Sequence, residues 1–586
     1  MLAQTMHIYE FGPFRLIPQE SQLLRDGQPV ALTPKAFNLL VVLIEQSGHL
    51  VEKDELLRRV WPDSFVEEAN LSVKMTELRR ALGKGPNDHL YIETVPKRGY
   101  RFVASVRECS GVDQKTPQGV APAKEPLPRK SIAVLPFKSL NLQADEQYLG
   151  VGIADSLITR LSTLQQLKVR STSAVLRYAS GDYDPLTVGR EMQVEYLLEG
   201  MIAKAGARIR ITAQLLRADD GVLLWADRFD EDFTNFIALE DAISEKLIQN
   251  LLVTVSNAEK AQLLRRHTES AEAYQLYMKG RYFWNQRTPT GFRKGIEYFT
   301  GAIEKDPSYA LAHAGLADSY LIWTTYGTQP PHELMPKAKE AATRALEIDG
   351  TLAEAYASLA FANLVYDWDW PNAKINYKRA IEMKPNYAII HIWYGFYLIA
   401  TSRFEEAFAA GRRAQELDPL SLIISNNLGW FLYFARHYDR AVEQFLGVLE
   451  MDANFWRPHW NIGLCYVAKG MFGEAIAAFE KARSLCDIPV TSTSLGRAHA
   501  LSGDRTKAME ILRELRERAR REYVSPYYMA EIYAGLGETE ESLDCLERAY
   551  RERVWFLVFL NYEPIFDNLR TDQRFRDLIR RIGLPT

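Results

Sequence analysis

The sequence predicts a multidomain chain: a small α+β unit, an α/β unit, and an all-α solenoid of helical hairpins. Three observations predict it. At 586 residues the chain is too long for one hydrophobic core. Its hydrophobic patterning changes character twice along its length. Its second half repeats with a period of 34. The composition, 47% apolar and 25% charged, is that of ordinary globular protein, so each unit can bury a core of its own.

The first unit covers residues 1–107. Residues 108–130 are rich in Pro, Lys, Gln and Gly, cannot build a core, and read as a flexible linker. Residues 131–255 alternate strands and helices. The helical array occupies 270–586.

In the first unit, Phe11 to Leu16 and Ser21 to Val30 read as short strands, the latter turning at Asp26-Gly27. Thr33 caps a helix that has Pro34 at its first position, buries Phe37, Leu40, Val41 and Ile44, and stops at Gly48. Lys53 to Trp61 forms a second helix broken by Pro62, and Glu68 to Leu82 a third that ends at Gly83. Tyr91 to Val103 is a hairpin turning at Lys97-Arg98-Gly99.

On a helical wheel Leu71, Met75, Leu78 and Leu82 share one narrow arc. Val73, Thr76, Glu77 and Arg80 occupy the opposite arc, flanked by Asn70, Lys74 and Arg79. A buried stripe with a polar, basic back is what a helix read into a DNA major groove requires. The charge is local as well. Residues 74–107 hold eight Lys or Arg against three acids, whereas residues 1–107 hold fourteen against thirteen, and the whole chain is −4. A basic surface confined to the third helix and the hairpin suits phosphate contact.

Leu32 to Leu40, Val51 to Leu57, Val60-Trp61-Pro62 and Leu71 to Leu82 resemble the OmpR/PhoB-type winged helix-turn-helix, and Tyr91 to Phe102 resembles its wing. The likeness spans 8–106. With no receiver domain ahead of it, the arrangement is similar to the CadC/ToxR-like branch, although no membrane helix follows. The resemblance implies double-stranded DNA as partner. It places Val73, Thr76, Glu77 and Arg80 at base edges, and Asn70, Ser72, Lys74 and Arg79 on phosphates. Lys97 and Arg98 would reach the minor groove, and Trp61 to Glu68 would form a loop near DNA or RNA polymerase. Two departures from the family stand out: Thr76 and Glu77 stand where arginines are common, and Lys97 replaces a frequent wing glycine. The competing readings are solvated surface charge and a winged helix that binds protein.

In the middle unit, Ser131 to Phe137 is a buried-strand pattern. Asp155 to Leu164 and Thr187 to Met192 read as helices. Lys168 to Arg170, Tyr196 to Met201, Ala207 to Leu216 and Val222 to Asp230 read as strands, and Phe236 to Val253 closes the unit as a helix. Ile132 to Phe137, Tyr148 to Asp155 and Leu224 to Asp230 resemble the TolB amino-terminal or FlgO-like domain, a family with no agreed chemistry. Gly150-Val-Gly152 lacks the further residues of a phosphate loop and reads as a packing turn. Asp155, Asp227 and Asp230, without a histidine, read as surface or strand-end residues rather than as a metal cluster.

In the array, Gly395, Gly429 and Gly463 are spaced by 34, as are Ala407, Ala441 and Ala475, Pro385 and Pro419, and Phe445 and Phe479. This resembles the tetratricopeptide repeat, in which small residues sit where paired helices approach and proline ends the second helix. Ala302, Ala345, Ala380, Ala508 and Ala549 mark further units, roughly seven or eight in all. Asp572 to Ile582 reads as a cap. The phase puts Phe396, Asn426, Trp430, Tyr433, Arg457 and Trp460 on the inner face, as a groove for a protein or peptide partner or, alternatively, as packing between helices.

No catalytic constellation, Walker motif or zinc-protease motif is present in the sequence, so the chain is expected to be no enzyme and to need neither cofactor nor metal. Cys109, Cys465, Cys486 and Cys545 are far apart, fitting a reducing compartment. Met1 to Glu10 has no secretory pattern. Ala388 to Ala400, the longest apolar run, is too short to span a membrane. The expected protein is a cytoplasmic one-component transcriptional regulator that self-associates on DNA. The alternative is a repeat scaffold carrying a vestigial or protein-binding winged helix.

Overall fold

The computed structural model describes residues 7–18, 22–25, 28–30, 32–60, 68–83, 91–95, 98–104, 106–110, 130–142, 146–164, 166–179, 182–205, 208–232, 236–251, 256, 259–260, 263 and 265–585. The chain forms two compact units, Met1–Glu125 and Pro126–Thr586.

The first unit opens with strands β1 (His7–Phe11), β2 (Phe14–Ile17), β3 (Gln22–Arg25) and β4 (Gln28–Pro29). The single strand expected from Phe11 to Leu16 is instead the tip of a hairpin. Gly12 turns it at φ +52°, and Phe11 pairs with Phe14. The turn expected at Asp26-Gly27 lies outside the described residues. Helix α1 (Pro34–Glu45) starts at N-cap Thr33 with proline in its first turn. Strand β5 (Leu50–Glu52), α2 (Lys53–Val60), α3 (Glu68–Leu82), β6 (Ile92–Val95), β7 (Gly99–Phe102) and β8 (Arg107–Ser110) complete the unit.

Two sheets flank the three helices: an antiparallel one in the order β4-β3-β2-β1-β8, and a small one in the order β5-β7-β6 that makes the wing. The wheel reading of α3 holds. Leu71, Met75, Leu78 and Leu82 are buried against Leu39, Leu40, Leu43, Leu56 and Phe102 in one core. Burying such a side chain is worth about 1.5–3 kcal/mol, and this anchors α3 with its other face outward.

The second unit begins with a mixed sheet. Strands β9 (Lys130–Val134), β10 (Lys138–Leu140), β11 (Leu167–Val169), β12 (Tyr196–Ala205), β13 (Arg208–Arg217) and β14 (Leu223–Asp232) run in the order β11-β9-β12-β13-β14, and β10 pairs with β12. The contacts of β9 are parallel, and β12-β13-β14 is an antiparallel meander. Along β13 the alternating Ile209, Ile211, Ala213 and Leu215 face inward, as the period of two requires. Helices α4 (Tyr148–Leu161), α5 (Thr172–Val175), α6 (Pro185–Met192) and α7 (Phe236–Leu251) cover the sheet. The two glycines of Gly150-Val-Gly152 lie inside α4. A Cβ on Gly150 would stand 2.2 Å from the carbonyl oxygen of Phe137, and one on Gly152 would meet Met278, so both glycines serve close packing.

Helix α8 (Ala271–Asn285) starts an array of antiparallel helix pairs that runs to Gln573–Ile582. The repeat residues do what their size predicts. A Cβ on Gly429 would fall 2.4 Å from the ring of Phe445, and one on Gly463 would fall 2.5 Å from Phe479. Ala407, Ala441 and Ala475 are fully buried. Where the phase would put a phenylalanine at 411 the chain has Gly411, and Phe431 of the next hairpin fills the space against Gly395.

Candidate functional site

The face opposite the buried stripe of α3 is the candidate DNA-reading surface. Thr76 is exposed there. Lys74 and Glu77 are half-buried and already engaged. Glu77 accepts from the backbone N–H (3.0 Å) and hydroxyl (2.8 Å) of Thr33, and the Lys74 ammonium donates to Glu77 (2.8 Å) and to the Thr33 hydroxyl (3.0 Å). Partial burial pushes the Glu77 carboxyl up, but these hydrogen bonds outweigh it and hold the group below its ordinary range. Glu77 was expected to accept from a base. In the structure it ties α3 to Thr33, the N-cap of α1.

Arg79, expected on a phosphate, also has an internal task. Its guanidinium donates to the Ile92 carbonyl (3.1 Å) and the Thr94 hydroxyl (2.6 Å), fixing α3 to β6 of the wing. That bond sets the hairpin beside α3. At the hairpin, Arg98 is exposed and only loosely paired with Glu52 at 3.9 Å. Asn70, Ser72, Val73 and Arg80 lie on α3, but their side chains are outside the described residues, as are Lys97 and residues 61–67. Sequence reasoning missed the double engagement of Glu77 because its partner is 44 residues away.

The inner face of the array differs from the expected open groove. Phe396, Asn426, Trp430, Tyr433 and Trp460 are buried, and the chain itself covers them. The turn Trp555–Phe559 lies on them: Trp430 stacks on Trp555 (5.9 Å between ring centroids), and Phe559 packs on Phe396 (5.6 Å) and Phe434 (4.7 Å). Trp430 also meets Trp460 at 5.7 Å. Tyr433 donates to Glu563 (2.6 Å), and Arg436 grips Asp567 through two 2.7 Å bonds. Asn461 donates to Asn426 (2.9 Å) and accepts from the indole of Trp430. Arg457 stacks over Tyr326 and Trp456. These residues pack the array, and the groove reading is corrected accordingly.

The middle domain packs on the array through buried charge. Asp155, expected at the surface, is buried and receives two bonds from Arg281 of α8 (2.8 and 3.1 Å) and one from Thr172 (2.5 Å). Burial raises the Asp155 pKa, but the Arg281 charge more than reverses this. Glu240 of α7, fully buried, accepts from Ser156 and from Tyr274 of α8, and Arg160 stands 3.7 Å away. Burial dominates there and pushes its carboxyl up to about 7. Asp227 and Asp230 lie on β14, where Asp230 pairs with Arg210 and Arg228. Among the described residues no helix is long and apolar enough to cross a membrane.

The fold defines the class: a winged-helix domain, a mixed-sheet domain and an array of tetratricopeptide-like helix pairs. Residues 27–102 match the family "Transcriptional regulatory protein, C terminal". Residues 128–246 match the family "HilA/YgeH-like transcriptional regulator, second domain", and 364–421 and 426–487 match "Tetratricopeptide repeat". The chain is 25% identical to the transcriptional regulator HilA of Salmonella paratyphi A over 73% of this chain and 74% of that one. It is 31% identical to the transcriptional activator CadC of Escherichia coli over 23% of this chain and 27% of that one. It is also 31% identical to the "Putative adenylate cyclase 3" of Rhizobium meliloti over 42% of this chain and 43% of that one.

Proposed function

We propose that the chain regulates transcription by binding double-stranded DNA sequence-specifically through α3 and the wing, and that the remainder of the molecule receives the signal. The observation that carries this reading is the pairing of a core-anchored helix with an exposed basic hairpin that Arg79 holds beside it. Thr76, Val73 and Arg80 would read bases, Asn70 and Ser72 would hold phosphates, and Lys97 and Arg98 would enter the minor groove. Lys74, Glu77 and Arg79 support the reading surface from within. The segment Trp61 to Glu68 is the candidate contact for RNA polymerase, and paired copies on tandem half-sites would raise affinity.

We read the chain as cytoplasmic and without catalysis. The share of the cyclase relative that it covers is under half of that protein, and the domains it matches as families are regulatory and repeat domains.

The test is genome-wide footprinting followed by binding of the full chain to a recovered site at several salt concentrations. Arg80→Ala is expected to cost about 1–3 kcal/mol and to relax preference at one base pair. Lys97→Ala with Arg98→Ala is expected to weaken all sequences alike and flatten the salt dependence by roughly one unit per lost contact. Unchanged affinity in both variants would overturn the assignment.

A further inference from the structure

Between α4 and the first helices of the array lie two adjoining cavities of about 570 and 180 Å3, which share Arg281, Glu354 and Lys384 as wall residues. Together they reach the size range of small-molecule sites. Three cations, Arg281, Arg287 and Lys384, stand there with three carboxylates, Asp155, Asp318 and Glu354. Farther along the smaller cavity, Asp418 takes the Ser171 hydroxyl and faces Arg170 and Lys168.

Four of the six central charges are matched. Arg281 grips Asp155, and Lys384 donates to Glu354 at 2.7 Å. The other two are not. Arg287 stacks on Trp284, 3.6 Å from the ring centroid, and among the described residues no carboxylate lies within ion-pair distance of it. Burial pulls its pKa down to about 10. Asp318 is 5% exposed and takes one side-chain hydrogen bond, from Ser358. Burial pushes it up to about 6. A charge withdrawn from water without an ion-pair partner is costly. Here half-buried Arg287 and buried Asp318 line a single cavity without forming an ion pair with each other.

We propose that this cavity binds a small zwitterion of the amino-acid class, its carboxylate on Arg287 and its ammonium on Asp318. Stacking on Trp284 fixes the guanidinium plane and leaves its edge donors in the fork that a carboxylate fits in a bidentate manner. A ligand that carries one charge of each sign meets both groups at once. A simple anion would leave Asp318 unmet, and a polyamine would leave Arg287 unmet. The inference rests on the reading of this region as the part that receives the signal. It is tested without DNA, so a failure of DNA recognition leaves the result intact.

The experiment is calorimetric titration of the full chain with each of the twenty common amino acids and with glucose. Any amino acid that binds is followed by its amide and its N-acetyl derivative. At least one amino acid is expected to saturate with Kd below about 1 mM, and both blocked derivatives to bind at least about tenfold more weakly. Arg287→Gln and Asp318→Asn are each expected to lose about tenfold, with Arg287→Lys recovering part. Melting curves establish that the variants fold. If either does not, the blocked derivatives on the parent chain decide. The proposal is overturned if no amino acid binds at about 10 mM, if glucose alone binds, if the blocked derivatives bind equally, or if folded variants bind as the parent does.

Discussion

The two ends of the array's inner face are built from opposite kinds of side chain. Toward α8 it carries Arg281, Asp318 and Glu354 around open cavities. Toward the far end it carries Phe396, Trp430 and Trp460, and the turn Trp555–Phe559 packs over them. Aromatic faces gain from every contact and close on whatever apolar surface the chain supplies. Charged groups must first be matched, and space persists where the match is incomplete.

Several substitutions would break or sharpen that contrast. The largest effect is expected from Trp430→Ala, which removes the stacking partner of Trp555. It should cost about 3–5 kcal/mol in urea melts and expose residues 554–570 to limited proteolysis. A loss below about 1 kcal/mol would mean that the seal contributes little. At the charged end, Arg281→Met leaves Asp155 buried alone and should cost about 3 kcal/mol, most of it restored by adding Asp155→Asn.

Glu240 gives a pH test. A carboxyl whose folded pKa is raised binds its proton more tightly in the folded state. Its contribution is therefore most favourable below about 4.5, the ordinary value, and is lost as pH rises through about 7. Relative to the parent, Glu240→Gln should remove a decline of about 2–3 kcal/mol across that window. Parallel pH profiles for the two proteins would rule this out. The smallest effect is expected from Tyr433→Phe, which leaves Glu563 one donor short and should cost about 1–2 kcal/mol in the same melts.

What the sequence made legible followed from periodicity and side-chain size. The stripe Leu71, Met75, Leu78 and Leu82, the cap at Thr33 and the 34-residue step of Gly429 and Gly463 are all local in sequence or repeated. What it concealed depended on partners distant in sequence. Nothing near Glu77 announces Thr33, and nothing near Asp155 announces Arg281, 126 residues on. The run Trp555-Phe-Leu-Val-Phe559 has no repeat phase, and nothing in it announces Trp430. The inner face could be placed by periodicity, but its occupant could not.

That turn also changes how the array should come apart. A stack of hairpins touching only their neighbours unfolds from its ends, one unit at a time. Here Trp430 meets Trp555, and the indole of Trp370 donates to the carbonyl of Ile582, 212 residues away. Such clasps join early hairpins to late ones. Melting should be cooperative across the array rather than a gradual fraying, and refolding should be slower than the mostly local contacts of a solenoid would allow.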